Sequence, residues 1–578
     1  MKKVLLLIII AVTTVSSCKK DLEDRYYNPD QLRGGTSDIV PGLFTQLLTT
    51  NKIFVQDYGE WFYLLSGGTS ITGYEQVCNR YISYRYDWFS TYNDLTTGNG
   101  FDDYPITGQS YFESSYTRLK NWETIKEEMD KRSGQDKTDA ELYFKLATLI
   151  KVYQAAKLVD LFNSIPYSDA FQGSSGGTEH YFPAYDDPKA IYQSVIADLG
   201  ELVNTLEASY NQLSEVGKST FRAQDVAFKG DIIKWVAFAN ATRLKLLVRI
   251  SGVEEAYAKP LITEALGKPL PTTDLTWQLW YTIDPTGGGF WLRGLYETTY
   301  AAFVPGIIMK RMNYGASTYD EGEDDPRLPV LALPTKYNDY RAISYNIDEQ
   351  TPIYDGGDRY YPYADDIRSS LEQNAKSMYN HATFQQNAQM PIYMFSLAEL
   401  DLLKAEIALK GLGATGKTAG EHIRDAVSHS VDFWYWLNQL SVYERGTADA
   451  VLYPAKPSAG VISGWADKVG ARFDAAAGAD GKMEILMQQK YIHLNLLHPY
   501  ELWAELRRTR HPKLEPFTWR GNVWKPMPER VRYPTSEQSA NPDNFRAVAD
   551  QNNLTSHIFW VPAALRTVVP YWNDYNYE

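Results

Sequence analysis

The sequence predicts a mainly all-α protein, a scaffold of helical hairpins interrupted by long, irregular, aromatic-rich loops. Three observations carry this. Several segments of 15 to 23 residues repeat apolar side chains at three-to-four spacing. The stretches between them are rich in Gly, Asp, Tyr and Pro, and loops this long in a compact protein are usually functional or disordered. The chain of 578 residues is long enough for one large core or several ordinary domains, yet it shows no clean repeat of fixed period, so any repeated hairpins are degenerate.

In chain order, Lys2 and Lys3 precede an apolar run over 4–12 and a small polar tail over 13–17, the layout of a signal peptide at 1–17. The run is too short for a mature membrane span, which needs about 20 apolar residues. Val15-Ser16-Ser17-Cys18 is similar to a bacterial lipobox, making Cys18 the expected lipid anchor and 18–29 a lipidated tether. Multiple acyl chains on Cys18 would hold the protein stably to a membrane surface. Residue 19 is lysine, not the aspartate that usually retains bacterial lipoproteins at the inner membrane, which points to the outer membrane and its exposed face. The remainder, 30–578, reads as a single helical domain with loop insertions at about 58–103, 271–300, 319–369 and 512–544.

Helices are expected at 140–162, with Thr138 and Asp139 as caps, at 190–206 after the Asp187-Pro188 opening, at 231–251, at 396–410, and at 420–437, 484–496 and 500–508. The net charge of −14 becomes two units more negative when a leader carrying Lys2 and Lys3 is removed, which excludes nucleic acid as an expected partner. The basic cluster Arg507, Arg508 and Arg510, flanked by Glu501 and Glu505, reads as an ion-paired helix end. With Cys18 lipidated, Cys78 has no partner for an internal disulfide, so stability must come from packing.

Tyr (43), Trp (15) and Phe (22) make up 14% of the chain. Tyr and Trp join a flat apolar face to a polar tip and suit wet, carbohydrate-like or peptide-like surfaces as well as cores. In 79–93, Tyr81, Tyr84, Tyr86 and Trp88 interleave with Arg85; around Gly287, Gly288 and Gly289 lie Trp280, Trp291 and Tyr296. Either group forms a platform for stacking the C–H face of a sugar, or a buried stripe at helical spacing. Both readings stand at this level.

Enzyme motifs fail on context. Residues 411–418 (GLGATGKT) satisfy phosphate-loop spacing, but a helix rather than a strand precedes them, so a glycine-terminated helix and hairpin turn is expected. His493 and His498 are five apart and do not share a helix face, and no metal site is assigned to them. The acidic run 320–325 (DEGEDD) lacks the EF-hand pattern; it reads as a solvated loop, with structural calcium the lesser alternative.

The blocks at 158–173 (LVDLFNSIPYSDAFQG), 183–199, 230–250, 325–329 (DPRLP), 393–411, 488–512 and 530–541, in this order behind the lipobox, resemble the SusD/RagB outer-membrane lipoproteins. The nearest branch is the SusD-like group described as nutrient-binding. The resemblance implies four tetratricopeptide-like hairpins, no catalysis, no cofactor, and a place as lid on a SusC-like TonB-dependent transporter. The ligand would be a glycan, or a peptide as in the RagB branch, held by loops in the N-terminal third and near the middle. His498-Pro499 departs from the polar, Gly-containing turn frequent in relatives. A lipid-anchored glycoside hydrolase, with two carboxylates about 5 to 10 Å apart, and a structural lipoprotein without soluble ligand are the competing classes.

Overall fold

The computed structural model describes residues 38–49, 54, 109–173, 177–277, 304, 306–313, 318–342, 377–384, 387, 389–443, 445, 450–514, 518–519, 522–523 and 529–569. Its first half contains α1 (Val40–Leu48), α2 (Gln109–Asp130), α3 (Gly134–Phe162), the single turn α4 (Thr178–Tyr181), α5 (Pro188–Asn211), α6 (Glu215–Gln224), α7 (Ile232–Ile250) and α8 (Glu255–Leu266). Strand β1 (Leu275–Trp277), α9 (Gly306–Asn313), α10 (Leu328–Leu331) and β2 (Ile392–Phe395) follow. The second half is α11 (Leu397–Lys410), α12 (Ala419–Leu440), α13 (Ala459–Ala475), α14 (Gly478–Leu494) and α15 (Pro499–Thr509), then the two-residue strands β3 (Thr518–Trp519) and β4 (Asn522–Val523), and the short α16 (Thr535–Ala540) and α17 (Pro542–Phe545).

Helix–helix packing dominates. α2, α3, α5, α7 and α8 pack successively, and α11 to α15 form a second succession. The first is built on a common core in which Phe44, Tyr143, Phe221 and Trp235 meet edge to face. The hairpins of the second enclose their own cluster, Leu402, Ile423, Val427, Trp465, Phe473 and Met487. Antiparallel pairing of β1 with β2 bridges the two halves, Trp277 facing Ile392 and Leu275 facing Phe395 across a bulge, and Asp274 accepts the first backbone N–H of α11 at 2.8 Å.

Local chemistry explains most helix ends. Asp187 caps α5 by accepting from the Ala190 N–H, with Pro188 in the first turn as expected. Asp231, Ser396 and Ser458 cap α7, α11 and α13 in the same way. The expected cap of α3 is corrected: the N-cap is Ser133, one turn and more ahead of Thr138. Asp139 instead accepts from the Ser214 N–H at 2.9 Å and its hydroxyl, fixing the start of α6, because a carboxylate inside a helix is free to serve a neighbouring helix's orphan donors.

The phosphate-loop spacing at 411–418 is a hairpin turn. Gly411 ends α11 at φ 64° in the left-handed region, and Thr418 opens α12 through a reciprocal capping box with Glu421. Three expected loops carry short elements where described: β1 within 271–300, α10 within 319–369, and β3, β4 and α16 within 512–544, with α17 starting at its end. The acidic run is not solvated throughout. Asp324 and Asp325 are buried, since Asp325 pairs with the buried Arg327 and Asp324 accepts from the Asp320 N–H at 2.8 Å.

A buried ionic network runs between the two halves. Arg249 of α7 pairs with Asp160 of α3 and Glu501 of α15; Lys490 of α14 meets Glu505 at 3.0 Å. Arg508 forks onto Glu406 of α11 and back onto Glu505. Burial alone would raise the carboxyls of Glu406 and Glu501, but Arg508 beside the first and Arg249 beside the second hold both well below the ordinary range. The expected ion-paired helix end is therefore present for Arg508 and for Arg510, which reaches Glu529 at 2.7 Å. Arg507 lies 3.8 Å over the Trp503 ring and donates to the carbonyls of Asp160 and Glu529.

Candidate ligand-binding surface

The sequence-predicted site residues Tyr81, Tyr84, Arg85, Tyr86, Trp88, Trp280, Trp291 and Tyr296, and the anchor Cys18, lie outside the described residues. Among the described residues, an aromatic concavity lies between α2, the segment after α3, and α16. It is a cleft of about 560 Å³ whose floor is Phe112, Tyr116 and Phe171. The rings of Tyr116 and Phe171 are 5.6 Å apart, and the Tyr116 hydroxyl is fixed by donating to the Pro166 carbonyl at 2.7 Å.

Its lip is Tyr181 and Phe182, which are 64% and 47% exposed. Large aromatics are seldom left this open, and these two are held there by backbone anchors: Asn544 donates to the Phe182 carbonyl at 2.7 Å and Asn541 to that of Pro183 at 2.8 Å. The opposite wall is polar. Glu113, Thr117 and Lys120 come from one face of α2, Glu537 and Asn541 from α16 and its end. Glu537 accepts from the Tyr185 hydroxyl and Glu113 from Ser536 at 2.6 Å; burial raises the Glu537 carboxyl, and the neighbouring Glu113 charge adds to it. A second depression of about 590 Å³ shares Phe182, Ala540 and Asn541 with the first and continues past Asp169, Thr178 and Asn544. The result is a trough with an aromatic wall in its middle.

A smaller groove of about 380 Å³ runs along α2, α3 and α5. There Lys151 stands 3.8 Å over the Trp122 ring, and burial lowers its amine to about 8 against the pull of Asp198. Trp122 Nε1 donates to Thr148 at 3.0 Å. Among the described residues no helix is long and apolar enough to cross a membrane.

Chemically, both depressions offer aromatic faces beside amide, hydroxyl and carboxylate groups, which is the equipment for binding a polyhydroxylated or peptide ligand. The helical succession that presents them has relatives. The family described as SusD-like, Susd and RagB outer membrane lipoprotein, matches residues 74–561. The chain belongs to the SusD-like family.

A comparison with curated protein sequences found no match. Among solved structures, this SusD-like chain is similar to a SusD homolog from Bacteroides uniformis, with 19% identity, a TM-score of 0.59, and coverage of 91% of this chain and 100% of that one. It is similar to a SusD homolog from Bacteroides fragilis at 18% identity and a TM-score of 0.58, covering 90% and 99%. A chitin-binding SusD homolog from Flavobacterium johnsoniae matches at 20% identity and a TM-score of 0.55, covering 90% and 98%. These likenesses establish the all-α fold of the SusD-like chain.

The trough was not anticipated from sequence. Its signal is the pair Tyr181-Phe182 set between the Gly-Ser run 173–177 and Pro183, an aromatic pair in turn-forming context. Density of aromatics, which singled out 79–93 and 277–300, passes over it because its five rings come from separate segments and only Tyr181 and Phe182 are adjacent in sequence. The polar wall is contributed by α2 and α16, which are more than 400 residues apart in the chain.

Proposed function

We propose that this chain is a cell-surface lipoprotein, anchored in the outer membrane through Cys18, that captures an oligosaccharide and delivers it to a SusC-like TonB-dependent transporter. Its membership in a family described as outer membrane lipoproteins is the observation that carries the reading. The aromatic-lipped trough supports the ligand class: Tyr181 and Phe182 present ring faces to solvent while Lys120, Asn541 and Glu113 stand across from them. The aromatic segments 79–93 and 277–300 would add further platforms. Relatives described as chitin-binding place oligomers of N-acetylglucosamine at the head of the ligand panel, and peptides, as in the RagB branch, second.

The chain acts by binding and not by catalysis in this reading. Glu113 and Glu537 line the trough together, and each accepts a hydrogen bond from a protein hydroxyl at one oxygen. Calorimetric titration with the panel, run alongside a product assay on the same mixtures, tests this. Saturable binding without turnover is expected, weakened about fivefold by Phe182→Ala, Trp88→Ala or Trp291→Ala, since stacking on one ring contributes roughly 1 kcal/mol. Turnover abolished by Glu537→Gln would replace the capture reading with the hydrolase. Unaltered affinity in all three aromatic variants would remove all three surfaces as the site.

A further inference from the structure

At the start of the second helical succession, Asp401 of α11 faces His422 and Asp425 of α12. One ligand-capable atom from each lies within 4.8 Å of the other two, the one such trio of His, Cys, Asp or Glu donors among the described residues. His422 is 3% exposed. Both of its ring nitrogens are shielded from solvent and have no hydrogen-bond partner. A buried imidazole must give up hydrogen bonds to water at both nitrogens, a cost of about 1 to 3 kcal/mol for each group left unsatisfied. Nothing in the surrounding protein returns that cost, whereas a cation between the imidazole and the two carboxylates would return it at the ligating nitrogen.

We propose that Asp401, His422 and Asp425 bind one divalent transition-metal ion of the Zn²⁺ type, which clamps α11 to α12 next to the 411–418 turn. The donor chemistry selects the ion. One neutral nitrogen and two carboxylate oxygens balance a 2+ charge, and three protein ligands leave room for water to complete a tetrahedral shell. Ca²⁺ and Mg²⁺ take oxygen ligands and gain little from an imidazole.

The geometry supplies the remaining parts. His422 and Asp425 are three apart on α12 and so share a face, and Asp401 comes from the helix packed against it. Asp401 also accepts from His429 Nδ1 at 2.6 Å, an outer partner of the sort that orients a ligating carboxylate. Asp425 is held at 2.5 Å by Lys417, which is 51% exposed at its side chain. A surface lysine is a weak competitor; on metal binding it swings into solvent.

The test uses full-length, untagged chain stripped with a chelating resin, titrated with Zn²⁺ by calorimetry and with Co²⁺ by visible absorption. One equivalent of Zn²⁺ is expected to bind and raise the melting temperature. Co²⁺ should give d–d bands of a nitrogen- and oxygen-ligated site. Asp425→Asn and His422→Leu should each weaken binding by about tenfold or more, while Lys417→Gln, which removes the competing ammonium, should tighten it. Asp425 is partly exposed, so its variant will fold even if the His422 variant does not. Equal Zn²⁺ affinity in wild type and Asp425→Asn would overturn the assignment and leave adventitious surface binding.

Discussion

Asp160 shows how much a single residue can organise. It lies in the apolar run Leu158-Val159-Asp160-Leu161-Phe162 and is fully buried. Its carboxylate accepts from Tyr500 at 2.6 Å, from Trp560 Nε1 at 2.7 Å, from Arg249, and from the Tyr192 hydroxyl. One side chain thus ties α3, α5, α7, α15 and the C-terminal segment together. Asp160→Ala takes one of the carboxylates from the buried Arg249 and removes the acceptor shared by Tyr192, Tyr500 and Trp560, and breaking a buried pair from one side costs about 3 to 5 kcal/mol. A loss of that size is expected in urea unfolding monitored by tryptophan fluorescence. Tyr500→Phe removes one donor only and should cost about 1 to 2 kcal/mol. A fall of less than 1 kcal/mol in Asp160→Ala would show that the ionic cluster is dispensable. The sequence displays Asp160 as a polar interruption of an apolar pattern, but its partners are between 32 and 400 residues away and no local rule can supply them. The same limit hides Asp401 from His422, although His422 and Asp425 are visible as a helix-spaced pair.

At the scale of elements, legibility follows apolar periodicity. α3, α5, α7, α11, α12, α14 and α15 all fall on segments expected to be helical, because each buries a continuous apolar face. α2, α6, α8 and α13 were not expected. α2 carries Lys, Glu, Asn and Ser at nearly half of its positions and buries few of them, and α13 is dense in Gly, Ala and Asp, so tertiary packing rather than pattern specifies these helices. The α11–α12 hairpin was legible down to its turn, and that legibility yields a test. Gly411 sits at φ 64°, which a side chain disfavours, so Gly411→Ala should lower stability by about 1 kcal/mol. Thr418→Ala removes the capping box and should cost about as much. Because the two changes act on opposite ends of one turn, a combined loss well short of the sum would indicate that the turn is already frayed in the native state. Differential scanning calorimetry of the single and double variants checks this.

For the molecule as a whole, the groups buried during folding set the response to acid. His381 and His493 are held down to about 3, in both cases by burial and for His493 also by the Arg327 charge, whereas an unfolded histidine titrates near 6.5. Between those limits the unfolded chain binds protons that the native fold refuses, so stability falls as pH drops, by up to about 1.4 kcal/mol per unit for each group. His422 and His557 are shifted down by burial as well. His429, raised by its hydrogen bond to Asp401, acts in the opposite sense, adding stability below its unfolded value that is lost as pH rises through the folded one. One raised histidine does not offset four lowered ones. A second stage follows at lower pH. Burial would raise Glu484, but His511 and Arg311 hold it down to about 2, so its stabilising contribution is present above about 4.5 and is lost on descent toward 2. Melting temperature is therefore expected to fall slightly on the alkaline side as His429 loses its proton, to decline between 6.5 and 4.5 on the acid side, and to decline more steeply below. His381 has no hydrogen-bond partner at either ring nitrogen, so His381→Phe should flatten the upper stage and remove the same slope from the lower stage down to about pH 3, leaving the Glu484 contribution in place. If melting temperature stays constant from pH 7 to 5, or if His381→Phe leaves the upper slope unchanged, buried histidine protonation is not what limits this fold in acid.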